Sequence, residues 1–231
     1  MPYFYYDYSY IVYVLPAIII SLFAQMAVKR TFNKYSNVFS SRSVTATDVT
    51  RRILDSAGLK DIRIERIAGS LTDHFDPRAK VIRLSDTVAN STSVAAIGVA
   101  AHEAGHAIQH GRGYLPIKIR NAFVPVANIG SKLSMPLILL GFILSFEPLV
   151  LFGIILFSAI VLFQLITLPV EFNASRRAGN LLYDMGILTK EECGGAKKVL
   201  SAAAMTYVAS ALVAIMQLVR LLSIFGGRRR D

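Results

Sequence analysis

The chain has 231 residues and a formal charge of +10, with a pI near 9.9 and a mean hydropathy of +0.49. Its Lys and Arg lie between long apolar runs rather than along one continuous face. That excludes a basic nucleic-acid-binding domain and points to membrane charge bias. The single cysteine, Cys193, excludes an internal disulfide framework and a Cys-rich metal site, so any metal must be held by His and carboxylate groups.

The first element is an uncharged apolar run, Tyr10 to Val28, followed at once by Lys29, Arg30 and Lys34. Tyr3, Tyr5, Tyr6, Tyr8, Tyr10 and Tyr13 crowd its leading edge, where amphipathic rings favour the membrane interface. No Lys or Arg precedes the run and Asp7 does. The pattern is that of an uncleaved anchor with its N-terminus outside the cytoplasm, not a secretory leader.

Residues 47–58, TDVTRRILDSAG, predict a short amphipathic helix with Thr47 or Asp48 as its cap and Gly58 as its stop. Ile62, Ile64 and Ile67 alternate imperfectly with charged residues, and KVIRL repeats the period with Val81 and Leu84. DHFDPRA between them has turn punctuation, so the expectation is a β-hairpin. KVIRLS is then an edge on which an extended peptide could add as a further strand.

A helix from about Ser93 to Gln109 follows, preceded by Ser and Thr that can cap it. It carries AHEAGHAIQH, residues 101–110. His102 and His106 are one turn apart on one face and can close on a single ion, while Glu103 lies beside that face and can reach a water at the ion. H-E-x-x-H is a zinc-hydrolase signature for this reason. The small apolar neighbours imply a buried helix, where unpaired His and Glu would be costly.

A catalytic zinc needs a third protein ligand and an open fourth position. His110 continues the spacing but lies a further turn along the axis, where it reads better as a polar helix end stopped by Gly111. His74 sits in the expected turn with no partner at ligand spacing. A carboxylate from a second helix remains.

Two further apolar segments, roughly Phe123–Phe146 and Leu149–Leu168, are separated only by Glu147 and Pro148 and predict a membrane hairpin. Its outer flanks, Lys118 and Arg120 before and Arg176 and Arg177 after, are basic. The positive-inside rule places residues 29–122 and everything after 169 in the cytoplasm. Pro169 can start the next helix with Glu171 in its first turn, at the mouth of the hairpin, which can return Glu171 to the two histidines. Its plainer reading is a helix-start carboxylate favoured by the macrodipole. A last apolar segment, Ser201–Val219, is long enough to span, but spanning would put the closing basic residues, Arg228–Arg230, outside. Lying in the interface is the alternative.

HEAGH, then a membrane hairpin, then EFNASRRA, with LTDHFDPRAKVIRLS ahead, resembles the YugP-type neutral zinc metallopeptidases of bacterial membranes. More distantly the chain is similar to the HtpX and CAAX prenyl protease group of gluzincins. The resemblance covers most of the chain. It implies a minimal gluzincin core, with a short sheet beside the helix of His102, Glu103 and His106 and a second helix carrying Glu171. In the HtpX-like group an Asp follows that glutamate four residues later. Here the place holds Ser175, a neutral and weaker partner for a ligand histidine.

The resulting expectation is a mainly α integral membrane protein with a small β-hairpin or sheet. Residues 1–30 form an anchor, 31–121 the first half of a protease core, 122–168 the hairpin and 169–231 the second half with the last apolar helix. One Zn2+ held by His102, His106 and Glu171 activates a water, and Glu103 is the base. Tyr207, His110 and Arg176 are open alternatives for the oxyanion donor. The partners expected are a peptide or membrane-protein substrate and the bilayer, with no nucleic acid, and the site faces the cytoplasm of a bacterial cell. A non-catalytic zinc-binding membrane protein with a structural, transport or assembly role is the competing reading.

Overall fold

The computed structural model describes residues 8–227. Tyr3, Tyr5 and Tyr6 of the leading edge, and Arg228–Arg230, lie outside the described residues. Among the described residues four helices are long and apolar enough to cross a membrane: Tyr10–Ser36, Leu115–Ile143, Glu147–Asp184 and Lys190–Gly226. With a three-stranded sheet, they make a mainly α membrane protein. The chain divides into two compact units. One takes the described residues up to Ala24, Ile119–Leu168 and those from Thr206 onward, and the other takes Gln25–Lys118 and Pro169–Met205.

The first unit is built from apolar lengths of α1 (Leu15–Ser36), α4 (Leu115–Ile143), α5 (Glu147–Asp184) and α6 (Lys190–Gly227). A π-helical turn, Tyr10–Val14, leads into α1. The expected hairpin is present as α4 and α5. Its connection is three residues with Ser145 at φ 51°, and Pro148 stands in the first turn of α5, where its missing N–H leaves no bond unmade. Close approach needs glycine here: a Cβ at Gly130 would lie 2.7 Å from the Leu156 carbonyl oxygen, and one at Gly153 would lie 2.9 Å from that of Ser134. Ile138, Val150, Ile154 and Leu221 form this unit's core. Phe23, Leu139, Ile143, Phe152 and Ile155 point outward, as they do on helices solvated by lipid.

The second unit is organised around α3 (Val94–Gly111), whose Ala95, Ala96, Ile97, Ala100, Ala101, Ala104 and Ala107 are wholly buried. Ser93 caps it by accepting from the Ala96 N–H at 3.2 Å. Helix α2 (Ala46–Ser56) packs against it through Val49, Ile53 and Leu54. Its cap is Thr45, not Thr47 or Asp48. The Thr45 hydroxyl oxygen accepts from the Asp48 N–H at 3.2 Å, and the Thr47 hydroxyl instead donates to the Ala89 carbonyl. Gly58, at φ +75°, follows the helix in the left-handed conformation expected of a stop.

The sheet departs from the expected pairing. Strands β1 (Arg63–Ile67), β2 (His74–Asp76) and β3 (Val81–Ser85) lie in the order β1-β3-β2. β1 runs parallel to β3, with Ile64 opposite Ile82, and β2 runs antiparallel to it, with Phe75 opposite Ile82. The hairpin is therefore β2–β3. It turns on the Asp76 carboxylate, which accepts from the N–H groups of Arg78 and Ala79. β3 is the central strand and not an edge, in keeping with buried residues on both of its faces, Val81, Ile82, Leu84 and Ser85. The half-buried Asp73 closes its far end by accepting from the N–H and hydroxyl of Ser85 at 2.7 and 2.9 Å.

Pro169 does not start a helix. α5 continues through it from Glu147 to Asp184, so Glu171 sits in mid-helix, and the macrodipole account of it as a helix-start carboxylate does not apply. Regular helix on both sides carries the proline at the loss of one backbone bond.

Candidate metal centre

All the parts of the site lie in the second unit. His102 and His106 project from one face of α3, one turn apart, with ring centroids 4.6 Å apart and planes at 83°. Glu171 is carried to them by α5, which approaches α3 closely at Gly105. A Cβ there would lie 2.8 Å from the Ala174 carbonyl oxygen, so glycine inside the H-E-x-x-H motif sets how near the carboxylate can come.

The two Nε2 atoms are 3.1 Å apart, and Glu171 Oε2 lies 3.2 Å from that of His102 and 3.5 Å from that of His106. Bonds of about 2.0–2.1 Å at tetrahedral angles place the ligand atoms of a zinc ion about 3.3 Å apart, which this triangle matches. Glu171 is only 2% exposed.

The far side of each ring is held. Gln109, wholly buried, donates from Nε2 to the Val170 carbonyl at 2.8 Å and to Asn173 Oδ1 at 3.0 Å, which turns its oxygen toward His106 Nδ1 at 3.0 Å. That oxygen only accepts, so Nδ1 carries the proton and the Nε2 lone pair faces Glu171. Ser175 Oγ stands 3.1 Å from His102 Nδ1 and can accept in the same way. Two lone pairs and a buried carboxylate thus converge, an arrangement that repels itself without a cation between them. A set of two imidazoles and one carboxylate suits zinc.

Burial lowers the proton affinity of His106, but a proton added at Nε2 would be held by a hydrogen bond to Glu171 and by the charges of Glu103 and Glu171, which leaves its pKa above the ordinary value. Glu103 is 9% exposed, and its carboxylate makes no hydrogen bond or ion pair among the described residues.

Residues 10–226 match a family described as "putative neutral zinc metallopeptidase". The chain belongs to this family. It is also 47% identical, over 211 residues, to the "putative membrane protease YugP" of Bacillus subtilis (strain 168), an alignment that covers 91% of this chain and 94% of that protein. No solved structure matches it. Family and apolar helices together make it a membrane protein with a trio of residues, His102, His106 and Glu171, able to bind one metal ion.

Of the remaining expected residues, Ser175 reaches the site through His102. His110 is exposed, with its ring edge against Phe75 at 5.9 Å, and is not part of the trio. Arg176 is exposed on the wall of a cavity that Ser175 also lines. Tyr207 belongs to the other unit. Sequence reasoning missed the chain from His106 through Gln109 and Asn173 to Arg177. Arg177 Nε donates to Asn173 Oδ1 at 2.7 Å, and its guanidinium lies 5.9 Å over the Tyr114 ring. The available signal was spacing. Gln109 is three residues after His106 on the same helix face, and Asn173 is two after Glu171.

Proposed function

We propose that this membrane protein is a zinc-dependent endopeptidase, hydrolysing peptides or membrane-protein segments at the cytoplasmic face of a bacterial membrane. The observation that carries the reading is the convergence of three ligand atoms, one each from His102, His106 and Glu171, beside a buried carboxylate, Glu103, that is left without a partner among the described residues. A structural zinc takes four protein ligands and has no use for such a carboxylate. Zinc bound here would lower the pKa of a water molecule and polarise the scissile carbonyl.

The chain's own residues supply the rest. Glu103 takes the proton of the attacking water and returns it to the leaving amine. Gln109 and Ser175 keep both imidazoles presenting Nε2. An extended substrate would add to the free edge of β2, the outer strand that packs against α3. The basic flanks Lys29, Arg30, Lys34, Lys118, Arg120, Arg176 and Arg177 support a cytoplasmic site. In this reading residues 1–30 anchor the chain, 122–168 form the membrane hairpin, and 31–121 and 169–231 supply the two halves of the core.

The test is hydrolysis of casein or a peptide library by purified protein, with and without chelator, beside Glu103→Gln. The variant should keep stoichiometric zinc and lose at least about 100-fold in rate. Equal hydrolysis by the variant would remove the mechanism.

A further inference from the structure

A cavity of about 700 Å³ opens in the second unit between α5 and α6. Its polar wall carries Arg176, Lys190 and Lys197, and its apolar wall is Phe172, Leu200, Ala204 and Met205. A neighbouring cavity of about 580 Å³ shares Gly194, Lys197 and Ser201 with it and adds Lys34 and Lys198. No Asp or Glu lines either cavity. Among the described residues none of these five cations has a carboxylate partner, although Lys34 lies 5.7 Å over the Tyr35 ring. Three like charges around one space, with two more in the cavity beside it, repel one another unless an anion is shared between them.

The position of these cations along the chain says what kind of anion. Lys34 follows the first apolar run, Arg176 follows the third, and Lys190, Lys197 and Lys198 precede the fourth. If the helices span the bilayer, as proposed above, the cations stand at headgroup depth, where Lys and Arg collect anionic lipid. Phe172 and Met205 are both exposed, giving the same cavity a face suited to hydrocarbon. A free phosphate has no use for that face. A peptide would want an unpaired strand edge for its main chain, and the cavity is walled by helices alone.

We propose that this cavity is a binding site for an anionic phospholipid, its phosphate among Arg176, Lys190 and Lys197 and its acyl chains along Phe172, Leu200, Ala204 and Met205. The space is made by glycine as well as charge. A Cβ at Gly179 or Gly194 meets nothing within 4 Å, so a larger side chain at either can enter the cavity without displacing backbone. Ser175, which holds His102, shares the wall, so an occupied cavity borders the metal trio.

The experiment uses full-length protein in a neutral detergent and measures binding of dihexanoyl phosphatidylglycerol, dihexanoyl phosphatidylcholine, inorganic phosphate and a short Asp-rich peptide. Phosphatidylglycerol should bind at least about tenfold more tightly than phosphatidylcholine. Lys197→Glu should weaken phosphatidylglycerol at least about fivefold. Gly194→Leu, which leaves every charge in place, should block it while melting temperature and zinc content stay unchanged. Equal binding of the two lipids, or unchanged binding by both variants, overturns the site. Inorganic phosphate binding as tightly as the lipid makes it a phosphate site instead, and displacement of the lipid by the acidic peptide makes it a substrate subsite. None of these measurements needs turnover, so loss of the peptidase reading and loss of the lipid site are separate results.

Discussion

His106 Nδ1 lies 3.0 Å from Gln109 Oε1, and that contact decides which nitrogen of the ring faces Glu171. The amide cannot turn over, because both hydrogens of Gln109 Nε2 are taken, by Val170 and Asn173. Gln109→Leu keeps the volume and removes the acceptor. Zinc affinity should fall about 10–100-fold, read by competition with a chelator.

Ser175 performs the same service for His102 through a hydroxyl. Ser175→Ala should weaken zinc, and Ser175→Asp should strengthen it, because a carboxylate on Nδ1 makes the ligand nitrogen more basic. Opposite signs in the same competition assay are the expected outcome. A common loss would mean that the site tolerates no change of volume there.

Glu171→Ala removes the carboxylate and leaves two imidazoles facing each other. Stoichiometric zinc should no longer survive dialysis, by metal analysis of the purified protein. Unchanged affinity would assign the third ligand to another residue.

The contact between Gly105 and Ala174 predicts a packing effect. Gly105→Ala brings a methyl group against backbone, so α3 and α5 must part. A loss of about 1–3 kcal/mol in stability is expected, together with weaker zinc binding. Gly179→Ala, in open space within a helix, should gain up to about 1 kcal/mol. Melting temperatures of the two variants should move in opposite directions.

The half-buried Asp73 gives a pH dependence with a definite sign. Burial pushes its carboxyl above the ordinary value, against the opposing hydrogen bonds from Ser85. A raised folded-state pKa means that its contribution to stability is complete at low pH and is lost as pH rises through the folded value. Asp73→Asn keeps an acceptor for the Ser85 N–H and cannot ionise. Its melting temperature relative to the unmodified protein should be highest near neutrality, and that difference should shrink as pH falls toward about 4.

The features legible in the sequence were those fixed by local chemistry. The start of α3 follows from Ser93 and its burial from its run of Ala and Gly, but its end does not follow from Gly111: the helix runs through that residue to an Arg112 cap, and Gly113, at φ 64°, takes the left-handed turn. The hairpin of α4 and α5 follows from two apolar runs with almost nothing between them. What was not legible depended on distant partners. β2 is three residues long, too short to show a period, so the direction of β1 against β3 could not be inferred from alternation. Pro169 reads as a helix start by propensity, yet α5 passes through it. Gln109 carries no signal of its own at the end of the helix, and its part at the site emerges only when Val170 and Asn173 are brought beside it.

The two sides of the metal trio are far apart in the order in which the chain is made. His102 and His106 leave the ribosome before α4, and Glu171 only after most of α5. A partly synthesised chain therefore carries the histidines and Glu103 but cannot hold an ion in three-point grip, so under the proposed function a metal-dependent activity would switch on only once the hairpin of α4 and α5 has formed. Insertion into the membrane would then act as the maturation step.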